Sequence, residues 1–215
     1  MSTSEQMHAL LSLVQWLSPA FPTGAFAYSH GLEQAIAAED ITTEQDLEEW
    51  LSDILACGAG WNDAVLMACA LRGEALEELS DIARALAGSM ERLRETEEQG
   101  AAFTEARAGM TGELAGSLPL PLAVARAAQG LALPDLQVIA LFLHSFAANL
   151  VSAAVRFVPL GQAAGQRVLA ALHPLIGILA ERALLATRED LASSAFRADL
   201  GAMAHETMDV RIFKT

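Results

Sequence analysis

Thr42-Thr-Glu-Gln-Asp-Leu-Glu-Glu-Trp-Leu-Ser-Asp-Ile-Leu-Ala-Cys-Gly58 reads as an amphipathic helix that carries its own start and stop. Leu47, Trp50, Leu51, Ile54 and Leu55 recur at i, i+3, i+4, i+7 and i+8, the spacing of one helical face. Thr42 followed by Gln45 forms a capping-box pattern ahead of that face, and Gly58 closes it. The same period extends in both directions. On the N-terminal side it predicts helices over Met7–Leu17, ended by Ser18-Pro19, and over Tyr28–Ala38. On the C-terminal side it predicts helices over 63–72, 75–87, 89–110, 121–131, 135–157, 162–185 with a kink at Pro174, and 195–209. No segment sustains the period-two alternation of a strand. The 215 residues are 53% hydrophobic but only 6% aromatic, so Ala and Leu, good helix formers, supply most of the apolar content. These observations predict an all-α fold, a single-domain multi-helix bundle over residues 1–215.

Net charge is −14. Residues 1–71 carry ten carboxylates and no Lys or Arg, the first cation being Arg72. A nucleic-acid backbone or an anionic membrane surface needs clustered cations, so both are excluded as partners, whereas a partner with a basic face fits. Leu136–Val155 has the length and apolarity of a membrane span. Its Ser145, Asn149, Ser152 and Arg156 nevertheless fall on one helical face, which predicts a buried helix of a soluble protein.

Several chemistries lack their residues. The only Lys is Lys214, and no GxxxxGK[ST] loop occurs, which removes a phosphate-cradling P-loop. His8, His30, His144, His173 and His205 include no pair at i, i+3 or i+4, so no metal site is built from a local motif. Ligands converging from distant segments stay open. Cys57 and Cys69 are twelve residues apart, about 18 Å along one continuous helix and too far for a disulfide. They read as two buried free thiols.

Two stretches stand out. Ser18-Pro-Ala-Phe-Pro-Thr-Gly-Ala-Phe-Ala-Tyr-Ser-His-Gly-Leu-Glu33 is a rigid Pro/Gly loop leading into a helix. Ser29 and His30 suggest a nucleophile and its base, but neighbours on a helix point about 100° apart and share a proton poorly. Tyr28, the chain's only tyrosine, suits either a loop core or a partner contact. Glu91-Arg-Leu-Arg-Glu-Thr-Glu-Glu-Gln-Gly100 reads as a solvated helix face with intrahelical ion pairs. Finally, Leu200, Met203, Thr207 and Val210 line one helical side before Arg211-Ile-Phe-Lys214. That apolar, cationic terminus either docks on its own domain or awaits a partner.

Together these stretches resemble the UreF family of urease accessory proteins. Ser18, Pro19, Pro22, Gly24, Phe26, Tyr28, Ser29, Gly31, Leu32 and Glu33 match its N-terminal loop. Glu95, Gln99 and Gly100 match its Glu-rich helix, Val158-Pro-Leu-Gly-Gln162 its central turn, and His205-Glu-Thr207 with Arg211, Phe213 and Lys214 its tail. Met208-Asp209-Val210 stands where the family usually has Gln-Tyr-Ser. The resemblance implies an all-α, cytoplasmic homodimer with no catalytic activity and no cofactor or metal of its own. It would bind UreD (also called UreH) and recruit the GTPase UreG to apo-urease for GTP-dependent nickel insertion. It carries partner-binding roles onto Tyr28, His205, Glu206, Arg211, Phe213 and Lys214, with the tail at about 200–215. Without the resemblance, a small α-helical enzyme working from the Tyr28 loop and a stand-alone acidic scaffold are the competing readings.

Overall fold

The computed structural model describes residues 3–158 and 160–214; Pro159 of the central turn and the terminal Thr215 lie outside them. Among the described residues there is no strand, so the expected all-α class holds. The chain runs α1 (Thr3–Trp16), a 3-10 turn (Ala25–Ala27), α2 (Leu32–Ala37), α3 (Glu44–Cys57), α4 (Ala59–Leu71), α5 (Leu76–Ala85) and α6 (Met90–Thr111). It continues through α7 (Leu120–Ala128), α8 (Asp135–Ala154), α9 (Gly161–Ala171), α10 (His173–Leu185), a second 3-10 turn (Arg188–Asp190) and α11 (Phe196–His205).

The hub is α4, buried continuously from Gly60 to Ala70. It packs against α3, α5, α7, α8 and α10, and its Ala64, Ala68 and Ala70 let those neighbours approach closely. Gly58 and Gly60 explain why α4 starts at Ala59, earlier than the apolar period indicates. Gly58 breaks the helix, and a Cβ on Gly60 would sit 2.9 Å from Leu55 Cα. The inner face of α3 is the expected one, with Leu47, Trp50, Leu51, Ile54 and Leu55 all buried.

Other boundaries differ for identifiable reasons. The capping box of α3 is one residue later than predicted: Thr43 Oγ1 accepts from Asp46 N at 3.1 Å and Asp46 Oδ2 accepts from Thr43 N at 2.9 Å. Pro174 begins a helix instead of kinking one. It lies in the first turn of α10, where its missing N–H has no intrahelical role. α2 starts at Leu32, not Tyr28, because His30 (φ 52°) and Gly31 (φ 75°) are left-handed. α11 stops at His205, so Thr207 and Val210 lie beyond it and the expected four-residue stripe is cut to Leu200 and Met203.

Three stretches, 44–71, 135–154 and 161–185, have the length and composition of a membrane span. The first is split at Gly58 and the third at Leu172, and all belong to one packed bundle. Ser145, on the polar face of α8, donates to the Leu17 carbonyl at 2.7 Å.

A carboxylate helix that clamps the C-terminal strap

Glu91, Glu95, Thr96 and Gln99 of α6 are buried, which corrects the expectation of a solvated face. Successive steps of four and three residues place Glu91, Glu95, Glu98 and Gln99 along one side of the helix. Most of their partners come from the two ends of the chain. The close fit requires glycine twice. A Cβ on Gly100 would fall 1.9 Å from the Leu118 carbonyl oxygen, and one on Gly31 would fall 2.7 Å from Ala202 N. The first lets the loop before α7 cross α6, and the second seats α11 on the turn before α2.

The centre of the arrangement is His205, with no exposed surface. Its Nδ1 lies 2.8 Å from Glu91 Oε2 and its Nε2 lies 3.0 Å from Glu33 Oε2, so both ring nitrogens face carboxylates and can donate to them. The same two carboxylates hold the strap that follows α11. Glu33 accepts from Ile212 N and Phe213 N, each at 2.9 Å, and Glu91 Oε1 accepts from Arg211 Nη1 at 2.7 Å. Burial pushes the Glu33 carboxyl upward, but the Phe213 amide, His205 and the Ile212 amide together bring it below its ordinary value. Glu206 turns back to α6, where Oε1 accepts from Met90 N at 2.7 Å and Glu91 N at 3.3 Å. With Ser89, whose Oγ accepts from Arg92 N, it satisfies donors that a helix start leaves unpaired.

Deeper in the bundle lies a second ionic cluster. His30 Nε2 is 3.0 Å from Glu95 Oε1, which also accepts from Gln99 Nε2 at 2.9 Å. Arg92 Nη2 donates to Asp63 Oδ2 at 2.7 Å, and its Nη1 lies 3.3 Å from Glu95 Oε2 without the alignment of a hydrogen bond. Burial pushes the Asp63 carboxyl up despite Arg92. For Glu95, burial is outweighed by the charges of His30 and Arg92, and its carboxyl is held low. The cavity beside these groups measures about 50 Å³, room for water but not for an organic substrate.

At the surface end, Tyr28 Oη donates to Glu98 Oε2 at 2.6 Å and Lys214 Nζ donates to the same oxygen at 2.7 Å. Lys214 Nζ also sits 5.5 Å from the Tyr28 ring centroid, and its backbone N–H donates to the Ala27 carbonyl. Burial, then the Glu98 hydrogen bond, raise the Tyr28 pKa. Lys214 and Tyr28 hold the Glu98 carboxyl low. Phe213 is buried at 7% exposure, with its ring 5.0 Å from that of Phe157.

The structure therefore gathers the sequence-predicted residues. Tyr28, Arg211, Phe213 and Lys214 line one open groove with Glu91, Arg94 and Glu98, while His205 and Glu206 brace it from behind. It also answers the question left open about the terminus, because the strap docks on its own domain. Ser29 is fully buried, and its Oγ accepts from Glu33 N at 3.4 Å, a capping position with no access to substrate. Cys57 is exposed rather than buried, since it ends α3 at the break before Gly58; Cys69 is buried and both are free thiols. Burial pushes the Cys69 thiol up to about 11, away from the reactive thiolate. Among the described residues no group of three or more His, Cys, Asp or Glu is arranged to hold a metal ion. The sequence did not single out Glu33, Asp63, Glu91, Arg92 and Glu98 as members of one site. The available signal was an acidic stripe on α6 whose cations lie mostly elsewhere in the chain.

On the other side of the strap, α11 is built inside out. It buries Ala198, Gly201, Ala202 and His205, while Phe196, Leu200 and Met203 are 68%, 64% and 47% exposed.

The UreF family model matches residues 41–173. The urease accessory protein UreF of Cereibacter sphaeroides (strain ATCC 17029 / ATH 2.4.9) is 62% identical over 207 residues, covering 96% of this chain and 99% of the relative. That of Paracoccus denitrificans (strain Pd 1222) is 50% identical across the full length of both chains, and that of Dinoroseobacter shibae (strain DSM 16493 / NCIMB 14021 / DFL 12) is 49% identical over 209 residues, 96% of this chain and 99% of the relative. An all-α chain, similar along nearly its whole length to these proteins and built around the two motif ends that α6 binds together, belongs to the UreF family of urease accessory proteins.

Proposed function

We propose that this protein is a non-enzymatic adaptor of urease maturation, a cytoplasmic homodimer that binds UreD (UreH) and recruits the GTPase UreG to apo-urease for nickel insertion. The observation that carries the reading is the inverted amphipathicity of α11. A helix that shows Phe196, Leu200 and Met203 to solvent and small residues to its own bundle is built to be covered. The groove beside it exposes Arg94, Arg211 and Lys214 next to Glu98, and Arg is favoured at interfaces; Tyr28, only 3% exposed, supports the groove from below and is not itself presented to a partner. Buried Ser29 and the protonated thiol of Cys69 both argue against the competing enzyme. In this reading GTP hydrolysis belongs to UreG, and the adaptor acts by binding one conformation of its partners better than another.

The test is co-expression with UreD and UreG followed by pull-down. Leu200→Asp, at an exposed position, leaves the melting temperature within about 2 °C because exposed substitutions change stability little. It should nevertheless remove the partner that covers α11. Retention of both partners by a folded Leu200→Asp protein would refute the docking role of this helix.

A further inference from the structure

His144, in the middle of α8, and His173, the first residue of α10, are 29 positions apart in sequence yet have ring centroids 5.4 Å apart, with planes inclined by 45°. The two helices pack directly against each other, and Pro174 fixes the backbone beside His173. Unlike His30 and His205, neither ring is engaged by a carboxylate among the described residues. His173 is exposed and His144 half-buried, so the pair is reachable from solvent.

The spacing is that of two packed rings, and it also fits two ligands of one ion. Metal–nitrogen bonds of about 2.1 Å put each ring centroid about 3.2 Å from an ion, so two imidazoles in tetrahedral positions have centroids about 5.2 Å apart. The observed separation meets that value, with rotation about χ2 turning one nitrogen of each ring inward. Coordination requires neutral rings. A hard cation such as Mg²⁺ or Ca²⁺ wants oxygen ligands, which this pair does not supply, whereas imidazole suits the later first-row ions.

We infer that His144 and His173 form a two-imidazole chelate for a divalent transition-metal ion of the Ni²⁺, Cu²⁺ or Zn²⁺ class, its other coordination positions open to water. The inference goes beyond the adaptor reading and does not depend on it, because it concerns the isolated chain. Two ligands on rigid helices give an exchangeable site, unlike the closed four-ligand sites that hold structural zinc.

The experiment is calorimetric titration of Ni²⁺ alone into the tag-free, chelator-stripped full chain. One ion should bind per chain. His173→Ala, at an exposed position, should weaken that binding by at least about tenfold with an unchanged melt. His144→Ala should do the same, and if it fails to fold, His173→Ala decides alone. His8→Ala, which removes an isolated surface imidazole, should change nothing. The inference is overturned if the wild-type chain binds no Ni²⁺, if His173→Ala binds it as tightly as wild type, or if His8→Ala is the variant that abolishes binding.

Discussion

His205→Ala removes the side chain on which the two ends of the protein converge. In its absence Glu33 and Glu91 face each other in the interior. Arg211 is left for Glu91, and the Ile212 and Phe213 amides for Glu33. Removing one partner from a buried ionic arrangement costs about 3–5 kcal/mol, because the remaining charge stays desolvated. The bundle has one escape. The strap can peel away and admit water to the carboxylates, forfeiting the burial of Phe213, about 1.5–3 kcal/mol, and its hydrogen bonds to Glu33. Either route leads to about 3 kcal/mol, and at 2–4 °C per kcal/mol for a chain of this size the melting temperature should fall by about 6–12 °C. Differential scanning calorimetry at pH 7 measures the fall, and amide exchange distinguishes the routes: peeling deprotects Ile212 and Phe213, whereas a strained but closed strap keeps them slow. The penalty should shrink as pH drops. Glu33 loses one of the groups that hold its carboxyl low, so in the variant it is neutralised at a higher pH than in the wild type. A fall of less than about 2 °C with both amides still protected would refute the claim that His205 holds the strap.

Three further outcomes follow from the same geometry. Glu33, Glu95 and Glu98 all have carboxyls held below the ordinary value of 4.5; the stability they confer is complete above that value and lost as pH falls through their lower folded values. Melting temperature should therefore decline on acidification below about pH 5, less steeply in Glu33→Gln, and a melt that rose over that range would contradict the assignment. Gly31→Ala must place a Cβ 2.7 Å from Ala202 N at φ 75°; left-handed strain of about 1–2 kcal/mol and overpacking of about 1–3 kcal/mol should displace α11, read as loss of exchange protection across 198–205. Tyr28→Phe loses the hydrogen bond to Glu98, which keeps Lys214, and should cost under about 1 kcal/mol by urea denaturation. A larger loss would mean that the phenol, not the ring, anchors the loop.

What could be read from the chain, and what could not, divides along the range of the interaction. α3 announced itself because five apolar side chains and a cap lie within fifteen residues of one another, and its buried face is the one the period indicates. Pro174 was visible as a break, but whether it kinks a helix or begins one depends on the turn at Leu172, which the local pattern does not specify. The period places α6 but carries no sign of its environment. Alternating Glu and Arg at i, i+3 and i+4 have the same spacing whether a helix lies in water or against the bundle, and the partners that His30, His205 and Arg211 supply to Glu91 and Glu95 are 65 to 120 residues away in sequence. The tail residues were picked out by resemblance, and their geometry explains the pattern. The side chains of His205, Arg211 and Lys214 each meet a carboxylate of Glu33 or of α6, so changing any one leaves a partner behind, whereas the Phe213 ring packs on Phe157.

The clamp and the exposed helix belong to one energetic argument. Inside the bundle α11 contributes mainly Ala198, Gly201 and Ala202, side chains too small to hold it by apolar burial alone, so its position is set by His205, Glu206 and the strap. Outside, covering the exposed parts of Phe196, Leu200 and Met203 offers a partner roughly 3–5 kcal/mol, no more than the low end of the about 4–15 kcal/mol that association costs in lost freedom. Under the proposed adaptor role, the apolar ridge alone therefore cannot secure a complex, and the adjoining groove must contribute. It can do so only if residues 206–214 are ordered beforehand. Fixing a loose segment costs about 1–2 kcal/mol per residue in backbone entropy, which over nine residues would exceed everything the ridge supplies. The buried carboxylates of Glu33 and Glu91 meet that ordering cost within the monomer. On this view the ionic network at His205 is what turns a weak apolar surface into one that a partner can hold.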